Sequence, residues 1–345
     1  VFDIPKCRPP KPINGIHLAD WEVHGHYFQN PRSYPEYLAT EVIEQFGPEP
    51  PSKCGYHTPA LEDNEVLEML GNLQRSLDQK CAAGHHYLLS ETWDLFLIAF
   101  KEAHCAGHHL WDLSDPNHPN YNTRRTTRLD EPLKKVFIDL DTAVGEFINA
   151  AGDKAVIAVF TPTNMEPNGK IEHLAEELVH RLNRNIGESL AAEEKHDLPF
   201  SSPAHEKEYC ELLPYNDNCT ALRINSHVRG SGRLQAFELI ESWLKDLKNA
   251  DTGEPIVAGI DRPSMTHPGV RNSALPDLLI RYTSGTFPRA ISSPQLGRIE
   301  ADRPEIRPGN HAAGGFLILA GAPVSYTHLR AHETERLISY AVFCL

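Results

Sequence analysis

The residue types able to do chemistry concentrate in one stretch, Glu102-Ala-His-Cys-Ala-Gly-His-His-Leu-Trp111. His104 and His108 stand four residues apart with Gly107 between them, directly after an apolar run, so a turn there can aim both imidazoles into one cleft. Tetrahedral zinc sites take such neutral imidazoles and complete the set with ligands from elsewhere in the chain. Of the 19 histidines, 10 fall before position 120, which makes this third of the chain the place to look for a metal site. Glu102 has two readings: a carboxylate that holds an imidazole tautomer, or a solvated loop acid. Cys105, between the histidines, reads as a small apolar filler rather than a thiolate ligand.

These residues need a scaffold. Asp94-Leu-Phe-Leu-Ile-Ala-Phe100 is a continuous apolar run of strand length, as expected for a strand covered on both faces, and Ala155-Val-Ile-Ala-Val-Phe160 is a second. Between them Leu133, Val136, Leu140, Val144 and Phe147 recur with helical period. Another helix is expected over Ile171 to Leu182, with Thr161 to Gly169 as a loop. Strand and helix therefore alternate, and the predicted fold class is α/β with a mainly parallel central sheet and helices on both faces. In such sheets ligands sit at the carboxyl ends of strands, where both His104 to His108 and Thr161 to Asn168 fall. Upstream, Val66, Leu67, Leu70, Leu73 and Leu77 mark an amphipathic helix over Asp63 to Ala83. Residues 1–60, rich in proline and aromatics, read as an arm or insertion around a core at 61–323.

Composition narrows the partners. Lysine and arginine total 33 against 47 acids, a formal net charge of −14, which argues against a nucleic-acid polymer or an anionic membrane face as partner. No apolar run approaches the roughly 18 residues of a membrane span. The 7 cysteines are odd in number and scattered without a C-x-x-C pair, so a reducing compartment, the cytoplasm, is favoured over a disulfide scaffold. The start Val1-Phe-Asp-Ile-Pro carries no signal pattern, and targeting is not legible there. Oligomeric state has no code in the sequence.

The run Glu102-Ala-His-Cys-Ala-Gly-His-His-Leu-Trp111, followed by Asp115-Pro-Asn-His-Pro119, resembles the E-x-H-C-A-G-H-x-x-W…D-P-x-H-P stretch of predicted type I phosphodiesterase/nucleotide pyrophosphatase proteins of the alkaline phosphatase superfamily. The likeness extends from Phe2-Asp-Ile-Pro through Asp20-Trp and Ser33-Tyr-Pro to Leu275-Pro-Asp-Leu278 and Gly309-Asn-His311. It implies an alkaline-phosphatase-like α/β core, incomplete at the N-terminus and at the C-terminus. It implies a small phosphorylated substrate and hydrolysis of a phosphate mono- or diester with divalent metal ions, zinc first and manganese second. His104 and His108 would occupy the D-x-x-G-H positions of one metal site, and His311 would be its late histidine.

The chain departs from that pattern at Thr161-Pro-Thr-Asn-Met165, where Thr163 replaces the histidine of a second metal site. Thr161, Thr163 and Asn164 are left as candidate contacts to a phosphate or a water. The nucleophile of the family belongs upstream of Val1, so no catalytic nucleophile is assigned and this fragment alone is expected to be inactive. A noncatalytic homologue binding a metal or a phosphorylated ligand, and a sulfatase on the same fold, are the alternatives. The tail 324–345, from Val324-Ser-Tyr-Thr-His-Leu-Arg-Ala-His-Glu-Thr334 onward, resembles translated sequencing-adaptor read-through and is set aside as non-native.

Overall fold

The computed structural model describes the chain apart from residues 6, 8–12, 24–25, 27, 29, 52–60, 122–128, 130, 170, 195–207, 214–218, 226–227, 229, 267–274, 287, 301–306, 322–340 and 345. It divides into two compact units, residues 1–167 with 307–345, and residues 168–306.

The first unit opens with β1 (His17–Ala19) paired antiparallel to β2 (Arg32–Tyr34), then α1 (Leu38–Phe46). Phe2, Leu18, Trp21 and Leu38 from this early segment are buried with Ile98, Phe100 and Phe147 in one apolar cluster. Helix α2 (Asp63–Ser90) begins with a capping box in which the Glu62 and Glu65 side chains satisfy backbone N–H groups reciprocally. It runs about two turns beyond the expected end at Ala83 because Tyr87, four residues after Ala83, still faces the core. Gly84 sets how closely the helices approach, since a Cβ there would lie 2.6 Å from the Phe147 ring.

β3 (Leu97–Phe100) leads into α3 (Glu102–Leu110) and a 3-10 turn at Trp111–Leu113. The expected turn around the histidines is thus a helix. Leu110, Leu113, Leu133 and Val136 form a second apolar cluster with Cys105, which is buried as a filler. Helix α4 (Pro132–Ala151) starts with proline in its first turn and closes at Gly152, whose φ of 76° suits a residue without Cβ. β4 (Ile157–Thr161) and β5 (Asn164–Pro167) follow, so the expected loop after β4 contains a strand.

The second unit, from α5 (Glu172–Glu194), has β6 (Cys210–Leu212), β7 (Cys219–Ile224), α6 (Gly230–Lys245), β8 (Lys248–Asn249), β9 (Val257–Asp261), the short α7 (Pro263–Thr266), β10 (Leu278–Tyr282), β11 (Ala290–Ser293) and β12 (Gly297–Glu300). Its sheets run β6-β7-β10-β9 and β12-β11-β8. Leu174, Leu178, Trp243, Leu278 and Ile280 lie in its own core. The chain then returns to the first unit with β13 (Gly309–Ala312), β14 (Phe316–Ala320) and β15 (Ala341–Cys344).

The expectation of a mainly parallel central sheet is overturned. The ladders among the described residues are antiparallel, the largest sheets have four strands, and parallel pairing is confined to single bridges from Phe2 to Leu18 and Ile98. The relevant sheet has the order β14-β4-β15-β3. Because β15 is antiparallel to both β3 and β4, these two strands do point the same way, as the helical crossover between them requires. They are not hydrogen-bonded neighbours, however. The place between them belongs to β15, a segment of the tail that sequence reasoning had set aside, and the outer edge of β4 is taken by the antiparallel β14. No helix among the described residues is long and apolar enough to cross a membrane.

Candidate metal centre

Helix α3 presents His104 and His108 on one face, as spacing by four along a helix dictates. Their ring centroids are 4.6 Å apart. The third imidazole arrives on β13, where His311 lies opposite Met165 of β5 in the antiparallel register. His311 Nε2 stands 3.4 Å from His104 Nδ1, and its ring centroid is 4.7 Å from that of His108. One nitrogen from each of the three side chains lies within 4.8 Å of the others, and all three residues are buried. Two nitrogens bound to one tetrahedral zinc at about 2.0–2.1 Å are separated by roughly 3.3 Å. The His104 and His311 pair therefore already stands at ligand spacing.

The supports of the cluster are backbone groups and close packing. His108 Nδ1 is 2.9 Å from the Gly309 carbonyl oxygen; as the donor in that bond it leaves Nε2 with the lone pair for a metal. Burial pushes the His108 imidazole well below its ordinary value of 6.5, and His104, Arg307 and His311 add to the shift, opposed by the Gly309 carbonyl. The neutral form, the only one that ligates, is thus the resident form. Asn310, fully buried, fixes β13 beside it: its Oδ1 accepts from the His311 N–H at 2.9 Å and from Arg307 Nη2 at 3.0 Å.

Strand β13 lies so close to α3 that residue 309 has no room for a side chain. A Cβ on Gly309 would sit 1.9 Å from the Gly107 carbonyl oxygen, and one on Gly107 would sit 3.0 Å from Met165. Gly309→Ala is therefore expected to push β13 off α3, destabilise the protein by about 1–3 kcal/mol, and displace the Gly309 carbonyl from His108, weakening the hold of the cluster on any divalent ion. Thermal unfolding and divalent-ion titration check this; unchanged stability and ion affinity would contradict the role given to the Gly107–Gly309 contact.

The structure brings together the three histidines and places the other candidates as follows. Glu102 is buried at the start of α3, but its Oε1 lies 2.8 Å from Ser76 Oγ on α2, so its partner is a serine rather than an imidazole. Thr161 Oγ1 donates to the Thr163 carbonyl at 2.8 Å, and Asn164 Oδ1 accepts from the Met165 N–H at 2.8 Å. Asn164 is exposed, while Thr161 and Thr163 are half-buried. The β4–β5 corner thus uses these polar groups on itself. Sequence reasoning missed Gly309, Asn310, Arg307 and Met165 as supports. Gly309 and Asn310 flank His311 directly, but nothing in the string shows that a carbonyl there meets a ring 201 residues away. Among family models, curated proteins and solved structures the chain finds no match.

Proposed function

We propose that His104, His108 and His311 hold a divalent metal ion, zinc in preference to manganese, and that this centre serves hydrolysis of a phosphate ester. The observation that supports the first part is the convergence of three buried imidazoles, at least one of them kept neutral, from two segments far apart in sequence. All-imidazole ligand sets suit zinc, and three protein ligands leave a position open for substrate or water. The reaction class draws on the motif likeness around Glu102 to Pro119. When bound, a divalent ion supplies Lewis acidity to a phosphoryl oxygen. The role of this chain's own residues is to hold that charge: α3 and β13 fix the imidazoles, and the Gly309 carbonyl sets the His108 tautomer. No described residue is assigned as nucleophile.

A second reading, a metal-dependent binding protein without turnover, has its own support. Thr161 and Asn164, which would contact a phosphate beside a second ion, are engaged with the Thr163 carbonyl and the Met165 N–H. One experiment separates the possibilities. The purified chain is analysed for bound metal, and the protein carrying any upstream segment of its reading frame is assayed on an aryl phosphodiester. About one zinc per chain with turnover lost in His108→Ala supports the hydrolase; zinc without turnover supports the binding protein. Absence of any retained divalent ion would sink both.

A further inference from the structure

Beneath α3 lies a set of buried ionisable groups that the metal centre does not use. Glu22, Ser76 and Glu102 are each at most 1% exposed. Ser76 Oγ is 2.6 Å from Glu22 Oε2 and 2.8 Å from Glu102 Oε1. A serine hydroxyl has one hydrogen to donate, and an ionised carboxylate has none. Two carboxyl oxygens can both bond this oxygen only when one of the acids carries a proton and donates it.

We propose that Glu22 is that acid: it is a neutral carboxylic acid donating to Ser76 Oγ, and Ser76 donates to the Glu102 carboxylate, tying the first turn of the histidine helix to α2. Two observations decide which acid holds the proton. Glu102 is the first residue of α3, where the helix dipole favours an anion. Around Glu22 the charges are already committed. Lys80 Nζ is 2.9 Å from Asp3 Oδ2 and donates to the Glu22 backbone carbonyl at 2.8 Å, and Lys101 pairs with Glu49. Lys80 is thus committed to buried Asp3, and Lys101 to Glu49, which is half-buried and also meets His26, before Glu22 is counted. With Glu102 ionised as well, Glu22 as a further buried anion would lack a counter-charge.

Consistent with this, burial pushes the Glu22 carboxyl up to about 8, against the pull of Lys80, Ser76 and Lys101 and with a contribution from Glu102. The sign of the resulting pH dependence follows. The folded protein keeps a proton that the unfolded chain releases near 4.5, so this stabilisation is complete below 4.5 and is lost as pH rises to about 8.

The test is infrared difference spectroscopy of the full chain over a pH titration, with Glu22→Gln and Glu102→Gln alongside. The expected result is a protonated-carboxyl carbonyl band at neutral pH that disappears with a midpoint near 8 and is missing from E22Q but present in E102Q. The wild-type melting temperature should fall across the same range, and that of E22Q, whose amide donates to Ser76 at any pH, should fall less. A band absent from the wild type at neutral pH, or one that survives in E22Q and vanishes in E102Q, overturns the proposal. Should E22Q fail to fold, the wild-type titration still decides, because a band that does not titrate between neutral and pH 10 also overturns it.

Discussion

Replacing His108 with alanine is expected to lower zinc affinity by at least 100-fold, the largest loss of any single substitution at the site. His108 is fully buried, and its Nδ1 is held by the Gly309 carbonyl. Removing an outer partner of a ligating histidine already costs about 10–100-fold, and removal of the ligand itself takes away a bond to the metal. The loss has a thermodynamic signature as well. With free zinc at about 100 times Kd, metal binding stabilises the folded state by about 2.7 kcal/mol. That increment should be present in the wild type and absent from His108→Ala. Competition with a chromophoric chelator measures the affinity, and melting curves with and without zinc measure the increment. His180→Ala, on an exposed side chain of the second unit, should leave both unchanged. Equal zinc affinity in H108A and wild type would remove His108 from the site.

Acid should release the metal for the same reason. The buried imidazole has its value depressed below 6.5, whereas the unfolded chain takes up a proton at its ordinary value. Stability from this group is therefore present above 6.5 and declines as pH falls.

Lys80→Ala is expected to give the largest stability loss, about 3–5 kcal/mol, by leaving a buried carboxylate without its counter-ion. The Lys80 ammonium is 1% exposed and has three partners: Asp3 Oδ2 at 2.9 Å and the carbonyls of Glu22 at 2.8 Å and Ala99 at 3.0 Å. Burial alone would lower its pKa; the carboxyls of Asp3, Glu102 and Glu22 outweigh burial and hold it above the ordinary lysine value. Asp3 is fully buried, and its oxygens also accept from the Trp21 N–H at 2.9 Å and the Glu22 N–H at 2.7 Å. Without Lys80 these two amides are too little to carry the charge. Denaturant midpoints give the measurement, and the double substitution Asp3→Asn with Lys80→Met should recover much of the loss, because it removes both charges together. A loss under about 1 kcal/mol for K80A would show that Asp3 is protonated or reached by water.

The pair also explains why the early segment belongs with the core of its unit. Lys80 on α2 reaches Asp3, Glu22 and Ala99 at once, so it joins the start of the chain, the segment after β1 and strand β3 at one point. Phe2 adds the apolar counterpart, with single bridges to Leu18 and Ile98. Proline and aromatic content had suggested an arm around the core, and here aromatic burial and one ammonium hold that segment in it.

Local order was legible because it depends on neighbours in the chain. Helices α2, α4 and α5 follow from apolar spacing, and β3 and β4 from short apolar runs. Likewise, four-residue spacing was enough to place His104 and His108 together, whether the segment was a turn or the helix it is. Strand pairing was not legible. Backbone amides of β4 meet β14 on one side and β15 on the other, and backbone groups are the same in every residue, so side-chain patterns did not reveal those partners. The apolar runs marked β3 and β4 as strands and, with the crossover helices, gave their common direction; the expected burial on both faces holds for Ile98 to Phe100 but not for β4, where only Ile157 is buried, and the runs left open whether a third strand would lie between them. The same limit applies to His311. Its likeness to a motif nominated it, while its place beside His104, 207 residues away in the chain, is set by the β13–β5 ladder and by Gly309, whose missing Cβ lets β13 touch α3. The sequence by itself determined the ligand chemistry, through residue type and spacing. Tertiary structure decided that three buried imidazoles meet, that Glu102 turns to Ser76, and that the sheet is antiparallel, because these depend on close approach between distant segments.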